Sequence, residues 1–177
     1  MQQALGPGRV HDPRCGDVNW SVRQYIDADC AGCMNVFFRA VQIGAAGAYD
    51  QAQRDAWCPE IPQASQENCD RLAGADSVVA ELDGTVIGFM SLEKDGHLDM
   101  AFVAPEHMGQ GVAGALYDQL FAKAQHRGLC RLNTEASHLA RGFFARKGWQ
   151  VVQPETVTRR GVSLERFRMQ IEIGEKA

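Results

Sequence analysis

The sequence predicts an α+β domain, and three observations carry that prediction. Helical segments cluster in the first seventy or so residues and return only twice later. Three strand-like runs then follow one another, with Asp83-Gly84 and Asp95-Gly96 as the turns between them. Finally, a glycine-rich junction, Val103 to Leu116, leads from the last of those runs into an amphipathic helix.

Taken in order, residues 1–16 are rich in Gly, Pro and polar residues without periodicity and read as a loose leader; residues 17–177 read as a single domain. Val18 to Tyr25 alternates as a first strand. Asp27 or Asp29 can cap the helix that follows, whose apolar face is Cys30, Met34, Phe37, Phe38 and Val41, and Gly44 and Gly47 interrupt it. A second helix is expected from about Asp50 to Trp57, before Pro59, and a third from about Gln63 to Leu72. The three consecutive strands are Ser77 to Leu82, Thr85 to Leu92 and His97 to Val103. The helix after the glycines runs to about His126, with Val112, Leu116, Leu120 and Ala124 along one side and Gly128 as its stop. A short strand near Leu129 to Thr134 follows, then a helix capped by Ser137 and stopped by Gly148. Two closing strands, Trp149 to Thr158 and Ser163 to Ile173, pair across Arg160-Gly161.

A chain of 177 residues suits one core of ordinary size. A net charge of −4 does not fit a protein built for nucleic acid. No apolar run approaches the roughly 20 residues that span a membrane, and no apolar leader segment is visible. The expectation is a cytoplasmic protein with no nucleic-acid or membrane partner; the sequence leaves a homodimer open. Cys15, Cys30, Cys33, Cys58, Cys69 and Cys130 form an even set, but a chain this rich in core residues needs no staples. Cys30 and Cys33 fall at helical spacing among apolar residues, so buried thiols are expected there rather than a redox or zinc site. No metal is expected.

The glycine junction is suited to phosphate. Glycines let the backbone approach a ligand, and a helix start adds unpaired N–H donors and partial positive charge. Gly109, Gly111 and Gly114 satisfy G-x-G-x-x-G, and Glu135 lies about 20 residues further on, as in a dinucleotide fingerprint. The context argues against that reading. Pro105, Glu106, His107 and Met108 separate the strand from the glycines, the preceding strands are hairpin-linked and so antiparallel, and only about 40 residues remain after Glu135. A nicotinamide-dependent oxidoreductase therefore ranks third among the functions considered.

With these elements in this order, the chain resembles a GCN5-related N-acetyltransferase (GNAT). That family reads its cofactor with Arg/Gln-x-x-Gly-x-Gly/Ala between the fourth strand and the third helix, matched here by Met108, Gly109, Gln110, Gly111, Val112 and Ala113, with Met108 departing at the first position. A second signature aligns with Ser137, Ala140, Phe143, Phe144, Gly148 and Trp149. Small bacterial acetyltransferases of unassigned substrate also share the pattern of Tyr49, Gln53, Ala56 and Trp57, and the hairpin Arg159-Arg160-Gly161. The resemblance implies a mixed, mostly antiparallel central sheet of about seven strands flanked by helices, splayed between strands four and five. It also implies acetyl-CoA as co-substrate and direct acyl transfer to an amine of a small molecule or peptide. On this reading backbone groups near Met100, Phe102 and Val103 hold the acetyl and pantetheine parts, and amides from Met108 to Gly114 hold the pyrophosphate.

The chemistry then needs a base for the amine, a donor for the thioester carbonyl and an acid for the thiolate. The candidates for base are Glu135, Asp99 and His97, the last two on one face of the fourth strand. The Tyr that the family places as acid falls at Phe144, so either Tyr117 or another group substitutes, or the thiolate leaves unassisted; a thiol pKa near 8.5 allows the latter. Ser137 stands where the family has Asn, as a cap alone or as cap and pantetheine contact. Tyr49 and Trp57 are expected to border the acceptor pocket. A second function, an acyl-CoA-binding sensor without turnover, is permitted by Phe144.

Overall fold

The computed structural model describes residues 20–174, so the expected leader lies outside it. β1 (Trp20–Gln24) precedes α1 (Cys30–Arg39), which widens into a π turn over Ala40–Gly44. α2 (Gln51–Trp57) and α3 (Gln66–Gly74) follow, capped by Asp50 and Ser65, whose side chains accept from the amides of Gln53 and Asn68. Next come β2 (Asp76–Leu82), β3 (Thr85–Leu92), β4 (Leu98–Val103) and α4 (Val112–His126). The chain closes with β5 (Arg131–Ala136), α5 (His138–Arg146), β6 (Gln150–Arg159) and β7 (Val162–Glu172). Every expected element forms. No helix among the described residues is long and apolar enough to cross a membrane.

The strands divide into two antiparallel sheets, β1-β2-β3-β4 and β5-β7-β6. Among the described residues a parallel bridge, His97 to Asn133, ties them at the foot of β4 and β5. There Asn133 N–H donates to Gly96 O at 3.1 Å and the Thr134 hydroxyl donates to Leu98 O at 2.7 Å. Beyond Leu98 no strand among the described residues lies beside the outer edge of β4. The expected splay is thus wide enough to part the sheet in two.

Both faces of the first sheet are buried. Val79, Phe89 and Met100 meet α1 and Leu72 of α3 on one face. Val78, Met90 and Leu98 meet α4 and the second sheet on the other. Gly88 lets α4 sit this close: a Cβ there would lie 3.1 Å from Val112 Cγ1 and 3.2 Å from Leu116 Cδ1.

The expectation of thiols on α1 fails at Cys30. The helices α1 and α3 lie on one face, which brings Cys30 and Cys69 to a Cα separation of 5.5 Å, and the two are joined by a disulfide. Cys33 and Cys58 do remain buried thiols, and burial pushes the Cys33 thiol up to about 12. The bridge closes a span of 39 residues, for which chain entropy alone gives about 4 kcal/mol and typical values are about 2–4 kcal/mol. Replacing both residues by Ala is expected to lower the melting temperature by about 10 °C. Added dithiothreitol should lower the wild-type value similarly and leave the double variant unchanged.

Candidate active site

After β4 a single 3₁₀ turn, Pro105–His107, leads into the glycines. Arg39 holds this turn with two hydrogen bonds to the Glu106 carboxylate, at 2.8 and 3.0 Å. Gly109 and Gly111 both take left-handed backbone, φ 77° and 84°, which glycine adopts without a Cβ penalty. Gly111 is the N-cap of α4 and has no side chain to satisfy the first turn, and the first helical bond runs from Ala115 N–H to Gly111 O. The amides of Val112, Ala113 and Gly114 therefore keep no intrahelical acceptor. A Cβ added at Gly109, Gly111 or Gly114 would meet no protein atom within 4 Å. The junction is a set of free donors at a positive helix end facing open space, which fits an anion such as a pyrophosphate.

These glycines line a cavity of about 480 Å³, with Met108, Val103, Phe102, Ala140 and Phe144 among its other walls. Two expected contributors do not present their side chains to it. The Gln110 amide folds back to donate to Glu106 O at 2.8 Å, and Val112 is buried against Gly88; only their backbone can serve a ligand. Met108, the departure from the family pattern, is accommodated by Gly44, where a Cβ would lie 2.5 Å from Met108 Cε. The sequence reading missed His107 and Arg146, which also line this cavity.

A second cavity, of about 390 Å³, lies on the α3 side and shares Trp57, Phe102 and Ser137 with the first. Met100, Asp99, Glu135 and Tyr49 line it, together with Arg71, Arg159 and Arg166, which the sequence reading did not single out as site residues. Of these arginines only Arg159 carried a signal, in the two-arginine hairpin.

The base candidates are sorted by their surroundings. A register shift in β3–β4 pairs Ser91 with Met100 but Leu92 with Leu98, leaving Asp99 as the extra residue of a bulge. The bulge puts Asp99 and Met100 together on the cavity side. Asp99 is held by Arg71, with Nε and Nη2 donating to its two oxygens at 2.7 and 2.6 Å. His97 precedes β4, and its Nδ1 lies 2.8 Å from Asn133 Oδ1. Its Nε2 is 3.5 Å from Glu135 Oε2. Glu135 alone of the three combines a place on the cavity wall with no arginine partner among the described residues.

Tyr117, expected as a substitute acid, belongs to the core. It is buried on the inner side of α4, among Phe121, Phe143, Phe144 and Trp149. Its hydroxyl accepts from Trp149 Nε1 at 2.9 Å, and burial raises its pKa. Phe144 packs on Trp149 with ring centroids 4.8 Å apart. Ser137 caps α5 by accepting from Ala140 N–H at 3.2 Å, a role that leaves its hydroxyl proton free to donate into either cavity. The Tyr49 hydroxyl is committed, donating to Glu165 O at 3.0 Å and accepting from His138 N–H at 3.1 Å. Tyr49 thus shapes the smaller cavity with its ring.

Comparison with known proteins agrees with this geometry. Residues 45–172 match the model of the acetyltransferase (GNAT) domain family. The uncharacterized N-acetyltransferase YafP of Escherichia coli strain K12 is 32% identical over 151 residues, which covers 85% of this chain and 95% of that one. A GCN5-related N-acetyltransferase from Rhodopseudomonas palustris, also described as an aminotransferase of class II, is 31% identical. It superposes with a TM-score of 0.79 over 86% of this chain and 94% of its own. The acetyltransferase yncA from Salmonella typhimurium, solved with its cofactor acetyl-CoA, shares the fold at 20% identity, with a TM-score of 0.68 over 90% of this chain and 96% of that one. On the family match and the YafP likeness together, this chain belongs to the GCN5-related N-acetyltransferases.

Proposed function

We propose that the protein moves the acetyl group of acetyl-CoA to the amine of a small acceptor by direct attack within a ternary complex. The observation that carries this reading is the pair of cavities with Trp57, Phe102 and Ser137 in common, beside the open edge of β4. Acetyl-CoA fits the larger cavity, its pyrophosphate on the amides of Val112 to Gly114 and its pantetheine along Phe102 and Val103, whereas Met100, expected beside them, lines the smaller cavity. The acceptor fits the smaller one. The amine nitrogen attacks the thioester carbon, edge amides of β4 donate to the carbonyl oxygen as it gains charge, and the C–S bond breaks. The thiolate takes its proton from solvent, since a thiol pKa near 8.5 makes it a tolerable leaving group.

Glu135 serves as the base that takes the ammonium proton, directly or through one water. His97 supports it from behind. Its Nδ1 lies on Asn133 Oδ1 and its Nε2 faces Glu135 Oε2; in the tautomer whose Nδ1–H donates to Asn133, the ring offers Nε2 as an onward acceptor for the proton. The test is to incubate the protein with acetyl-CoA and a panel of amines while following free thiol. Amine-dependent thiol release is the expected result. Tight coenzyme A binding with no release for any amine would favour a sensor, the reading that Phe144 permits.

A further inference from the structure

One wall of the smaller cavity is held by few ties. α3 supplies Asn68 and Arg71 to that wall, and α1 supplies Met34 and Phe37. Leu72 is the buried residue of α3, and the stretch 58–65 before the helix forms neither helix nor strand. Three bonds add to the burial of Leu72. Arg71 reaches both oxygens of Asp99, the Ser77 hydroxyl donates to Leu72 O at 2.6 Å, and the Cys30–Cys69 disulfide joins α3 to α1. Among the described residues, α3 contributes nothing to the larger cavity. The disulfide thus secures the acceptor wall and stands apart from the glycine junction. Its two sulfurs are unequally placed: Cys30 is buried, whereas Cys69 is half-buried. Cys33 lies one turn along α1 from Cys30, but burial pushes its thiol up to about 12. At neutral pH it supplies no useful thiolate to attack the bridge from within, so the bridge opens to an external thiol, at Cys69.

Resting on the acetyl-transfer reading above, we infer that the Cys30–Cys69 bridge is a thiol-sensitive clamp on the acceptor wall. A dithiol that opens it lowers affinity for the acceptor amine and leaves coenzyme A binding intact. The thiolate of the dithiol attacks Cys69 Sγ, the S–S bond breaks, and its electron pair goes to Cys30 Sγ, which takes a proton. The second thiol of the reagent then attacks the reagent sulfur of the mixed disulfide. Cys69 leaves as a thiolate and is protonated, and the reagent departs as a cyclic disulfide. Two electrons and two protons pass from the dithiol to the bridge. What then holds α3 is Leu72, the Ser77 hydroxyl bond and an ion pair screened by water, the Arg71 side chain being 54% exposed. A short helix on so few contacts belongs to the part of a fold that opens locally, and it takes Asn68 and Arg71 away from the acceptor when it does.

The reductant is dithiothreitol, and the acceptor probe is the panel amine that gives the fastest thiol release. Acetylated amine is followed by chromatography, because the reductant itself carries thiols. Dithiothreitol is expected to raise the wild-type KM for that amine about threefold or more. The calorimetric Kd of coenzyme A should change by less than about twofold. The variant with Ala at both Cys30 and Cys69 should show the raised KM without reductant and no response to it. Trypsin, used without reductant, reads the helix without turnover, since cleavage after Arg71 requires α3 to unwind. That cut should be about tenfold faster in the double variant, with cuts elsewhere unchanged. An unchanged KM, or an unchanged cut after Arg71, overturns the inference. Equal weakening of coenzyme A, or faster cutting at every site, also overturns it, because the bridge would then be a general staple. The transfer reading fails separately, by absence of acetylated product from every amine in the oxidised protein, and the cut after Arg71 still judges the clamp.

Discussion

Gly111→Asp is expected to weaken acetyl-CoA binding at least 100-fold while the fold survives. Gly111 has φ 84° and open space where a Cβ would go, so the new side chain meets no protein atom. Asp is among the residues that tolerate left-handed backbone, and the strain costs about 1 kcal/mol, borne by the exposed end of α4. The ligand meets a different situation. A carboxylate at roughly 5 Å from a pyrophosphate with two charges is repelled by about 2 kcal/mol even at the dielectric of water, and by more at the lower effective values near a protein surface. It also competes for the first-turn amides as an N-cap acceptor. Gly111→Asn keeps the size and the capping but removes the charge, so it should lose less. Added salt should recover part of the Asp defect and none of the Asn defect. Calorimetric titration with coenzyme A measures all of this. Unchanged affinity in the Asp variant would make the glycine junction a structural turn only.

The sequence made the junction legible because its physics is local. Positive φ at Gly109 and Gly111, the Pro-Glu turn and the start of α4 all follow from residues within a few positions of one another. Boundaries set by longer bonds were not legible. Leu129 and Trp149 were expected to open strands, yet each closes the preceding helix instead. Leu129 N–H donates to Ala124 O at 3.1 Å and Trp149 N–H to Phe144 O at 3.0 Å, behind the left-handed Gly128 and Gly148. That is a helix ending in which the residue after glycine bonds back and packs on the last turn. The shift carries β5 on to Ala136, so that Glu135 lies within the strand rather than just beyond Thr134.

The acceptor side was less legible, because it is assembled from segments far apart in the chain. Arg71 reaches Asp99 over 28 residues, and Arg159 approaches from the closing hairpin. The Asp99 bulge hides in a strand pattern, since one extra residue leaves the alternation on either side intact. The disulfide shows the same limit. Cys30 sits three residues before Cys33, but its partner is 39 residues away on another helix.

Glu135→Gln is the second large effect, and it separates the three acids and bases that the sequence left open. Loss of a general base typically costs about 100- to 10,000-fold, and here the loss should fall on kcat with little change in KM, because Gln keeps the shape and the hydrogen-bonding reach. The acidic limb of the pH–rate profile, which reports protonation of that base, should disappear with it. Asp99→Asn should behave differently. Its two oxygens hold Arg71, so the variant leaves a cation without its partner and loosens α3 against β4. KM for the acceptor should rise while the pH profile keeps its shape. His97→Ala should fall between them, lowering kcat about tenfold, since Glu135 loses its onward acceptor but keeps access to solvent at 30% side-chain exposure. If Asp99→Asn instead abolished the acidic limb and Glu135→Gln retained it, the base would be the bulged residue. The Arg71 pair would then have to open in the ternary complex, a change that the larger KM effect of Arg71→Ala on the acceptor would reveal.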